Sequence, residues 1–521
     1  MNPITLLNHN VNFDVKKFFK IIFFLSMIWA QNSNSEFRAT WVISWDWISP
    51  DDTADEIQEQ IRAILDNHVD ANMTSVFFQI RQSGTTYYNS TYEPWGYYAG
   101  YSDPGFDPLT FAVEEAHARG LELHAWFNTF QVSSTTAGTP AAEHPEWVCR
   151  DQDGYPMNSH RSISPGLETV RNYLVNVAME VVNNYDIDGL HLDYIRWNEY
   201  TNTQRQINYG EQIEEIYMND GWITDEQIQE INNNSSGRYL YDIEHAYNSG
   251  VPAGFSSWEE WWRWSVTEFV EALDDSMQTV KPHVRLSVAA LGNYRWGGWQ
   301  GYGTVYQDAA LWFNEGTIDQ LTPMHYHWTT ASGFYSMLVG SDGQGASEQC
   351  WEYYIQPGIS AGRLYSVGVG SYMLENNNVW QNHPSIINTC RLVDWVDGFQ
   401  FFSSGEWDFR NYWMVAGNTF FRRQTKIRSI PDNSGFAPAP PFIILDKIDS
   451  LHYSIRIQPQ DTLSNFWTAV YRSEDDSLNL NDDNIVQIYF GNDTLFYVDS
   501  FDGTQDFNDQ YTYGATQCDR F

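Results

Sequence analysis

Two kinds of apolar pattern alternate along most of the chain. Short runs rich in β-branched and aromatic residues predict strands, and the stretches between them repeat apolar residues at helical spacing. Thr53–Asn67 and Leu167–Tyr185 are the clearest helical stretches, each with one apolar face. The predicted strands are, in chain order, Phe37–Ser44, Ser75–Arg81, Leu121–Asn128, Gly189–Ile195, Arg285–Leu291, Gln320–Tyr326, Leu364–Tyr372 and Gly398–Ser403.

This alternation predicts an α/β fold, a closed (β/α)8 TIM barrel over residues 36–430. An open doubly wound sheet is less favoured, because no glycine-rich dinucleotide turn follows the first strand. The connection from Asn198 to Ser257 is far longer than an ordinary βα loop and contains a predicted helix at Thr224–Ile231. We expect this insertion either to shape the barrel mouth or to be a tolerated surface feature.

A second pattern begins after Arg428. Pro438, Pro440 and Pro441 predict a stiff linker over residues 431–441. From Phe442 onward, short strands at close intervals predict a small all-β Ig-like sandwich over residues 442–521, about one strand short of complete. Its predicted strands are Tyr453–Gln458, Trp467–Arg472, Ile485–Phe490, Leu495–Val498 and Gln510–Thr516.

The N-terminal segment, residues 1–30, has the pattern of a secretory signal. Lys16, Lys17 and Lys20 precede an apolar run from Ile21 to Ala30 that is too short to span a bilayer. No later apolar segment reaches the length of about 18 residues that a membrane helix requires. The sequence therefore predicts a secreted or periplasmic protein with no membrane span in the mature chain.

Charge and composition narrow the function classes. The formal net charge of −39 repels phosphate backbones, which excludes nucleic acid as a partner. Aromatic residues form 16% of the chain, which suits either a half-polar ligand or a large aromatic core. The four cysteines have no metal-ligand spacing, and their pairing is left open; they are Cys149, Cys350, Cys390 and Cys518. No motif implies a cofactor.

Candidate site residues lie where the predicted strands end. In a barrel the C-terminal strand ends meet at one mouth, and side chains two apart on a strand share a face. The side chains of His191 and Asp193 are therefore expected to share one face of their strand, and those of His124, Trp126 and Asn128 to share one face of theirs. Other candidates at strand ends are Trp45, Asp46, Gln79, Arg81, Asn293, Tyr326, Tyr372, Glu375 and Glu406.

Asp193 closes the predicted fourth strand in the stretch DIDGLHLDYIRW. Because an unpaired buried carboxylate is costly, Asp193 is either paired with Arg81 or Arg196 or kept for catalysis. Its position at a barrel strand end favours catalysis. His191 and His124 are interpreted as substrate-binding or orienting groups, with satisfied core histidines as the alternative.

Two other signals carry less weight. The stretch GISAG contains Ser360 in a G-x-S-x-G pattern, but it precedes a predicted strand and is interpreted as a helix-to-strand turn. His325 and His327 are spaced like metal ligands, yet they have the opposite parity to Tyr326. If Tyr326 faces inward, the two histidines do not, so no metal site is predicted.

Several blocks of the barrel region, in a consistent order, resemble glycosyl hydrolase-like family 10, a group of bacterial extracytoplasmic proteins. They are FRATWV at 37–42, FFQIR at 77–81, GLELHAWFN at 120–128, HPEW at 144–147, SPGLETVRNYL at 164–174 and DGLHLDYIRW at 188–197. The resemblance implies a TIM barrel that acts on glycans, with peptidoglycan strands as one candidate substrate. It also implies that Asp193 belongs to the active site, with Arg81, His124, Trp126 and Asn128 around it. The C-terminal sandwich is similar to fibronectin type III-like modules.

The function expected from this resemblance is hydrolysis of O-glycosidic bonds of a polysaccharide by two carboxyl groups. Asp193 is the first catalytic candidate. For the second, Glu375 ranks ahead of Asp46 and Glu406, because its strand lies nearly opposite the fourth. Substrate binding is assigned to Arg81, His124, Trp126, Asn128, His191, Arg196, Tyr326, Trp45 and Glu406. Two alternatives stay open: a non-catalytic glycan-binding barrel, and a metal-dependent hydrolase or deacetylase that uses His191, Asp193 and one of His325 or His327.

Overall fold

The computed structural model describes residues 35–521, except for 155, 158–160, 198–238, 342, 431–437, 450–451, 462–463, 474–479, 481, 501–510 and 519–521. The predicted signal segment, the predicted helix at Thr224–Ile231 and most of the predicted linker lie outside the described residues. None of the helices within these ranges has both the length and the apolar character needed to cross a membrane.

The first part of the described chain is a closed barrel of eight parallel strands. The strands are β1 (Phe37–Val42), β2 (Ser75–Gln82), β3 (Glu122–Asn128), β4 (Gly189–Asp193), β5 (Arg285–Val288), β6 (Gln320–Leu321), β7 (Leu364–Gly370) and β8 (Gly398–Phe402). Each strand pairs with its neighbours in chain order, and β1 closes the barrel by pairing with both β2 and β8. The predicted TIM barrel and all eight predicted strands are confirmed.

Helices surround the barrel. The predicted helix after β1 is confirmed at Ala54–Asp70, where the Thr53 side chain accepts from the backbone N–H of Glu56 and the Glu56 carboxylate accepts from that of Thr53. The predicted helix before β4 is confirmed at Glu168–Asn184. The other helices are Pro108–Ala118, Pro140–Glu143, Trp258–Val280, Gly301–Thr304, Ala309–Glu315, Ala331–Val339, Glu352–Ser360, Ser371–Asn376, His383–Cys390, Ser404–Phe409 and Trp413–Thr419. Ser360 ends a helix before β7, as predicted.

Apolar, neutral polar and charged side chains fill the barrel interior, where Arg285 of β5 forms a buried ion pair with Glu122 of β3 at 2.9 Å. Phe37, Ala39 and Trp41 of β1 face inward with Phe77 of β2, in one buried cluster. The segment after the barrel closes the N-terminal end, because Ile427 and Ile430 join the same cluster. That end is therefore sealed by the chain itself, and the mouth of the barrel lies at the C-terminal ends of the strands.

The C-terminal part of the chain forms two antiparallel sheets of three strands. The strands are β9 (Phe442–Lys447), β10 (His452–Gln458), β11 (Phe466–Ser473), β12 (Ile485–Gly491), β13 (Leu495–Ser500) and β14 (Thr512–Cys518). The sheet orders are β9-β10-β13 and β12-β11-β14. Ile455 and Ile457 of one sheet pack against Val470 of the other, so the predicted sandwich is confirmed. Its likeness to fibronectin type III stays a prediction.

The sandwich contacts the sealed end of the barrel. The ring of His117, just before β3, lies 4.1 Å from that of Phe490, and Lys426 donates to the hydroxyl of Tyr471. At Gly120, an added Cβ would lie 2.6 Å from the carbonyl oxygen of Ile488. The sandwich therefore packs on the face opposite the C-terminal strand ends. All four cysteines are free thiols.

Candidate active site

Strand β4 places a carboxylate at the open end of the barrel. Its alternate residues Gly189, His191 and Asp193 face inward, and Asp193 lies beside Asn128 in the register of β3 and β4. Gly189 is required by close packing, because a Cβ there would lie 2.1 Å from Nδ1 of His124. The alternation that the sequence predicts for this strand is therefore the observed one.

The Asp193 side chain is buried but reachable, since 10% of its surface is exposed. Burial raises the pKa of this carboxyl, against smaller opposing effects from Arg196, the Tyr194 backbone N–H and the indole of Trp126. The Tyr194 N–H donates to Oδ1 at 2.6 Å, whereas Nη1 of Arg196 lies 3.7 Å from it, beyond hydrogen-bond distance. Asp193 is therefore near a cation without being tied up by it, and it favours its protonated form more than an ordinary aspartate does.

The turn after β4 brings Arg196 back over the strand end. Tyr194 has a φ of 49°, in the left-handed region that side chains other than glycine rarely adopt. The Arg196 guanidinium packs over the Tyr194 ring at 4.4 Å. Such backbone outliers cluster at functional sites, where the surrounding structure enforces them.

Three buried polar atoms around Asp193 lack hydrogen-bond partners in the described structure. They are the indole Nε1 of Trp126, the amide Oδ1 of Asn128 and Nη1 of Arg196. Each leaves a desolvation cost unless something supplies the missing partner, and buried groups of this kind call for a ligand or water. The Trp126 N–H makes no regular hydrogen bond, although it lies close enough to lower the pKa of Asp193. The site thus offers two free donors and one free acceptor.

Aromatic rings form a wall beside these polar atoms. The Tyr326 ring lies 6.5 Å from Trp41, 5.5 Å from Tyr372 and 5.7 Å from Phe402. Burial and then the nearby Asp193 carboxylate raise the pKa of the Tyr326 phenol, so that phenol keeps its proton. A ring-lined strand end with a few convergent polar groups is the usual form of a small-ligand site.

The two predicted histidines lie deeper than the mouth, and both are fully buried. His191 accepts from the indole of Trp41 at 2.9 Å through Nε2, and its Nδ1 lies 2.9 Å from the Ser287 hydroxyl. Burial holds the pKa of His191 well below its usual range, so this imidazole is neutral. His124 contacts Glu122 at 3.0 Å lower in the barrel. Both side chains lie inside the barrel below Asp193 and Trp126, which agrees with the alternative interpretation as core histidines, and the substrate-binding role of either stays a prediction.

Arg81 is likewise removed from the mouth, because a bulge turns it out of the barrel. It pairs with Phe127 of β3 after a register shift at Ile80. Its guanidinium is fully buried and forms a two-point ion pair with Glu93, at 2.6 and 2.7 Å. The predicted pairing of Arg81 with Asp193 and its predicted substrate contact are therefore both corrected.

The predicted second carboxylates have different surroundings. Glu375 lies on the helix Ser371–Asn376, not on β7, and the Arg410 guanidinium binds both of its oxygens. Asp46 accepts from the Ile43 N–H and the Ser404 hydroxyl, each at 3.1 Å, and burial raises its pKa. Glu406 lies in the first turn of Ser404–Phe409. Within the described ranges, no second carboxylate contributes to the pKa of Asp193.

Comparison with known proteins identifies this barrel. The model of the family glycosyl hydrolase-like 10 matches residues 36–349, which include β1 to β6 and Asp193. The chain belongs to glycosyl hydrolase-like family 10. The resemblance inferred from the sequence blocks is thereby confirmed.

Curated relatives carry the name glycosyl hydrolase. The chain is 29% identical over 332 residues to glycosyl hydrolase YngK of Bacillus subtilis, which covers 58% of this chain and 57% of that relative. It is 24% identical over 383 residues to glycosyl hydrolase DigH of Escherichia coli K12, and this match covers 66% of this chain and 75% of DigH. Among solved structures, the PgaB (BpsB) glycoside hydrolase domain of Bordetella bronchiseptica is 12% identical to this chain, with a TM-score of 0.43. That match covers 76% of this chain and 100% of the PgaB domain. The chain thus spans just over half the length of YngK.

The histidines predicted as alternative metal ligands do not converge in this family 10 barrel. His325 is buried, with Nε2 3.0 Å from the Tyr365 hydroxyl and Nδ1 accepting from Gly368 N–H, whereas His327 is exposed. Among the described residues no group of three or more histidine, cysteine or acidic side chains could hold a metal ion.

Sequence reasoning missed part of the mouth of this family 10 barrel. Trp41 and Phe402, which line the aromatic wall, were not among the predicted residues, nor was Tyr194. Trp41 carried a usable signal, because it shares the parity of the inward residues Phe37 and Ala39. Trp126, Asn128, Arg196 and Tyr326 were predicted and do surround Asp193.

Proposed function

We propose that the protein is a glycoside hydrolase that cleaves O-glycosidic bonds of a polysaccharide, with Asp193 as the proton donor. The observation that carries the proposal is the combination of a reachable carboxyl with a raised pKa and three unpartnered polar atoms at one strand end. Sugar hydroxyls both donate and accept, so they match two free donors and one free acceptor. Aromatic rings beside them suit the apolar faces of sugar rings.

The proposed reaction begins with proton transfer from Asp193 to the glycosidic oxygen. The bond between that oxygen and the anomeric carbon breaks through an oxocarbenium-like transition state, and water adds to the anomeric carbon. A raised pKa suits an acid that must hold its proton before the step. Arg196 and the Trp126 N–H lie near the carboxylate left behind, and they favour that charged form.

A second carboxylate is needed, either to take the proton of the attacking water or to attack the anomeric carbon before water replaces it. Glu375 is occupied by Arg410, so we rank Asp46 ahead of it. Asp46 lies four residues after the end of β1, in a short 3-10 helix, and it has hydrogen bonds that hold its carboxylate in place. Asp46→Asn is expected to lower the rate about as much as loss of any general base, by ~10²-fold or more.

The decisive experiment compares the wild-type chain with Asp193→Asn on a glycan panel. The panel holds denuded peptidoglycan strands and plant and algal polysaccharides, and product masses give the readout. Wild type should shorten one of these glycans, and Asp193→Asn should be slower by about 10²-fold or more. Asp70→Asn, an exposed acid at the sealed end, is the matched control. Unchanged cleavage by Asp193→Asn would end the assignment.

A non-catalytic glycan-binding barrel is the second candidate. It is favoured by one observation, that no second carboxylate among the described residues contributes to the pKa of Asp193. This candidate predicts that wild type binds a panel glycan and releases no product. Calorimetric binding alongside the mass readout separates the two.

Export from the cytoplasm completes the proposal, and peptidoglycan strands stay one candidate among the glycans of the panel. Export rests on the signal-like segment at residues 1–30. To test this point, the full chain is expressed in a bacterial host. The mass of the protein in the extracytoplasmic fraction then shows whether residues 1–30 have been removed. A chain that keeps residues 1–30 and stays in the cytoplasm would contradict it.

A further inference from the structure

A group of exposed aromatic rings lies on the rim of the barrel, outside the aromatic wall. Trp45, just after β1, has its ring 5.7 Å from Tyr98, which lies 5.2 Å from Tyr97, which in turn lies 6.0 Å from Tyr101. Trp45 is 51% exposed, Tyr97 61% and Tyr101 46%. We call these four residues the rim platform. Isolated exposed rings need no explanation, but a connected set on two separate segments does.

The rim platform has a rigid support that continues to the mouth. The Tyr87 side chain is fully buried, and its hydroxyl lies close enough to the Ser44 side chain and the Tyr98 backbone for both to oppose the rise that burial causes in its pKa. Ser44 in turn binds the inward-facing side chain of Gln79 at 3.1 Å. The ring of Tyr87 also packs so closely under Gly96 that a Cβ there would lie 2.4 Å from it. The exposed rings are thus held in place by the strand ends that form the mouth, which lowers the entropic cost of binding.

Charge decides which ligand suits this surface. Residues 39–61 and 82–118, which carry the platform, contain no lysine or arginine, and they include the exposed acids Asp51 and Asp103. An anionic polymer would be repelled and would find no cation to pair with. Rings with polar edges instead suit uncharged sugars, which present an apolar face and hydroxyls at their rim.

We infer that the rim platform is a remote subsite that binds a neutral stretch of a glycan chain whose other end occupies the mouth. This inference rests on the proposed function, because the mouth must hold part of the same chain. It implies that affinity rises with chain length for neutral glycans. A short oligosaccharide would fill the mouth alone and would not reach the rim.

The test measures binding of the full chain to short and long N-acetylated chito-oligosaccharides and cello-oligosaccharides by calorimetry, with a hyaluronan ladder as the anionic comparison. Wild type should bind long neutral oligomers more tightly than short ones. Tyr97→Ala should weaken the binding of long oligomers by about three- to tenfold. It should thereby reduce the difference in affinity between long and short oligomers. Tyr97→Phe keeps the ring and should retain most of the affinity.

Phe496→Ala is the matched control, since Phe496 is 60% exposed but lies on the C-terminal sandwich. The inference is overturned if wild type shows no dependence on neutral chain length, if Tyr97→Ala binds like wild type, or if hyaluronan binds as well as the neutral ladders. Cleavage is scored separately by product mass. Length-dependent binding with no cleavage of these oligomers or of any panel glycan would favour the non-catalytic barrel over the proposed hydrolase and leave the remote subsite standing.

Discussion

At the scale of single residues, the properties of Asp193 follow from a balance between burial and one nearby cation. Burial raises its pKa and Arg196 lowers it by a smaller amount. A closer pair would fix the carboxylate in its charged form, which could not donate a proton. At 3.7 Å the guanidinium lies beyond hydrogen-bond distance, and its effect is smaller than that of burial, so the pKa of Asp193 stays above its ordinary value.

Arg196→Gln should change the pH profile of cleavage in a defined direction. Without the cation, the pKa of Asp193 rises further, so more of the acid stays protonated at high pH. The alkaline limb of the kcat/KM profile should therefore move to higher pH. Arg295→Gln, an exposed arginine in the loop after β5, is the control and should leave that limb in place. A limb that moves to lower pH would contradict the role of Asp193 as the acid.

His68 should make the free energy of unfolding decrease as the pH falls. It is fully buried between the Thr40 hydroxyl at 2.9 Å and the Ile64 carbonyl at 2.7 Å, and burial lowers its pKa from 6.5 to about 4. The unfolded chain therefore takes up this proton first, and stability falls as the pH drops from 6.5 towards 4. Between pH 7 and pH 5 the loss should be about 2 kcal/mol.

Urea unfolding at the two pH values checks this expectation. His68→Gln keeps a donor and an acceptor but cannot titrate, so its stability should change less with pH than that of wild type. His327→Gln, at an exposed position, should keep the wild-type slope. Equal slopes for His68→Gln and wild type would show that another group causes the acid sensitivity.

Residue-level prediction from the sequence succeeded where position along a strand decides the surroundings. Asp193, Asn128 and Trp126 lie where parity and the barrel mouth rule place them. Prediction failed where a partner distant in sequence determines the surroundings of a side chain. Arg81 binds Glu93 and Glu375 binds Arg410, and the spacing of residues along the sequence indicates neither partner. Ion pairs formed through loops depend on the path of those loops, which periodicity does not specify.

At the scale of elements, strand existence was predictable and strand length was not. The predicted sixth strand Gln320–Tyr326 is regular only at Gln320–Leu321, because Pro323 has no N–H to donate to a ladder. The seventh ends at Gly370, and the following helix removes Tyr372 and Glu375 from it. This early end explains why Glu375 meets Arg410 and not the barrel interior.

The fit of β4 against β3 is open to a direct test. Gly189→Ala would place a methyl group 2.1 Å from Nδ1 of His124, inside a packed barrel where neither strand can move away. We expect destabilisation of about 1–3 kcal/mol or more by denaturant unfolding. Gly298→Ala is the control, because no atom lies within 4 Å of its added Cβ. Comparable stabilities for the two variants would mean that this contact is not tight in solution.

At the scale of the whole molecule, the sandwich is packed against the barrel and is not merely attached by a linker. Ile488 lies against Gly120 in the loop that enters β3, and the rings of Trp467 and Phe490 contact His117 in the helix Pro108–Ala118. The composition of the predicted linker indicated a separate module, and it gave no sign of this contact. Docking of this kind depends on surfaces brought together only by the complete fold.

Gly120→Ala should loosen that docking. The residue has a φ of 74°, and its added Cβ would also meet the Ile488 carbonyl at 2.6 Å. Gly105→Ala is the control. It also places alanine in the left-handed region, at a φ of 89°, but its added Cβ has open space around it, so it should lower the free energy of unfolding by only about 1 kcal/mol. Limited proteolysis within residues 431–441 is expected to be faster for Gly120→Ala than for Gly105→Ala. Equal rates would show that the sandwich does not depend on this contact.

The packing of the sandwich on the sealed end also determines how the protein could be attached to a solid support. After residue 35 the chain has only three lysines, Lys281, Lys426 and Lys447. Lys281 lies just before β5 at the sealed end, Lys426 contacts the sandwich, and Lys447 belongs to it. In a chain without residues 1–30, amine-reactive chemistry on a sensor chip would therefore hold the protein by its sandwich side, with the C-terminal strand ends directed towards the flowing sample.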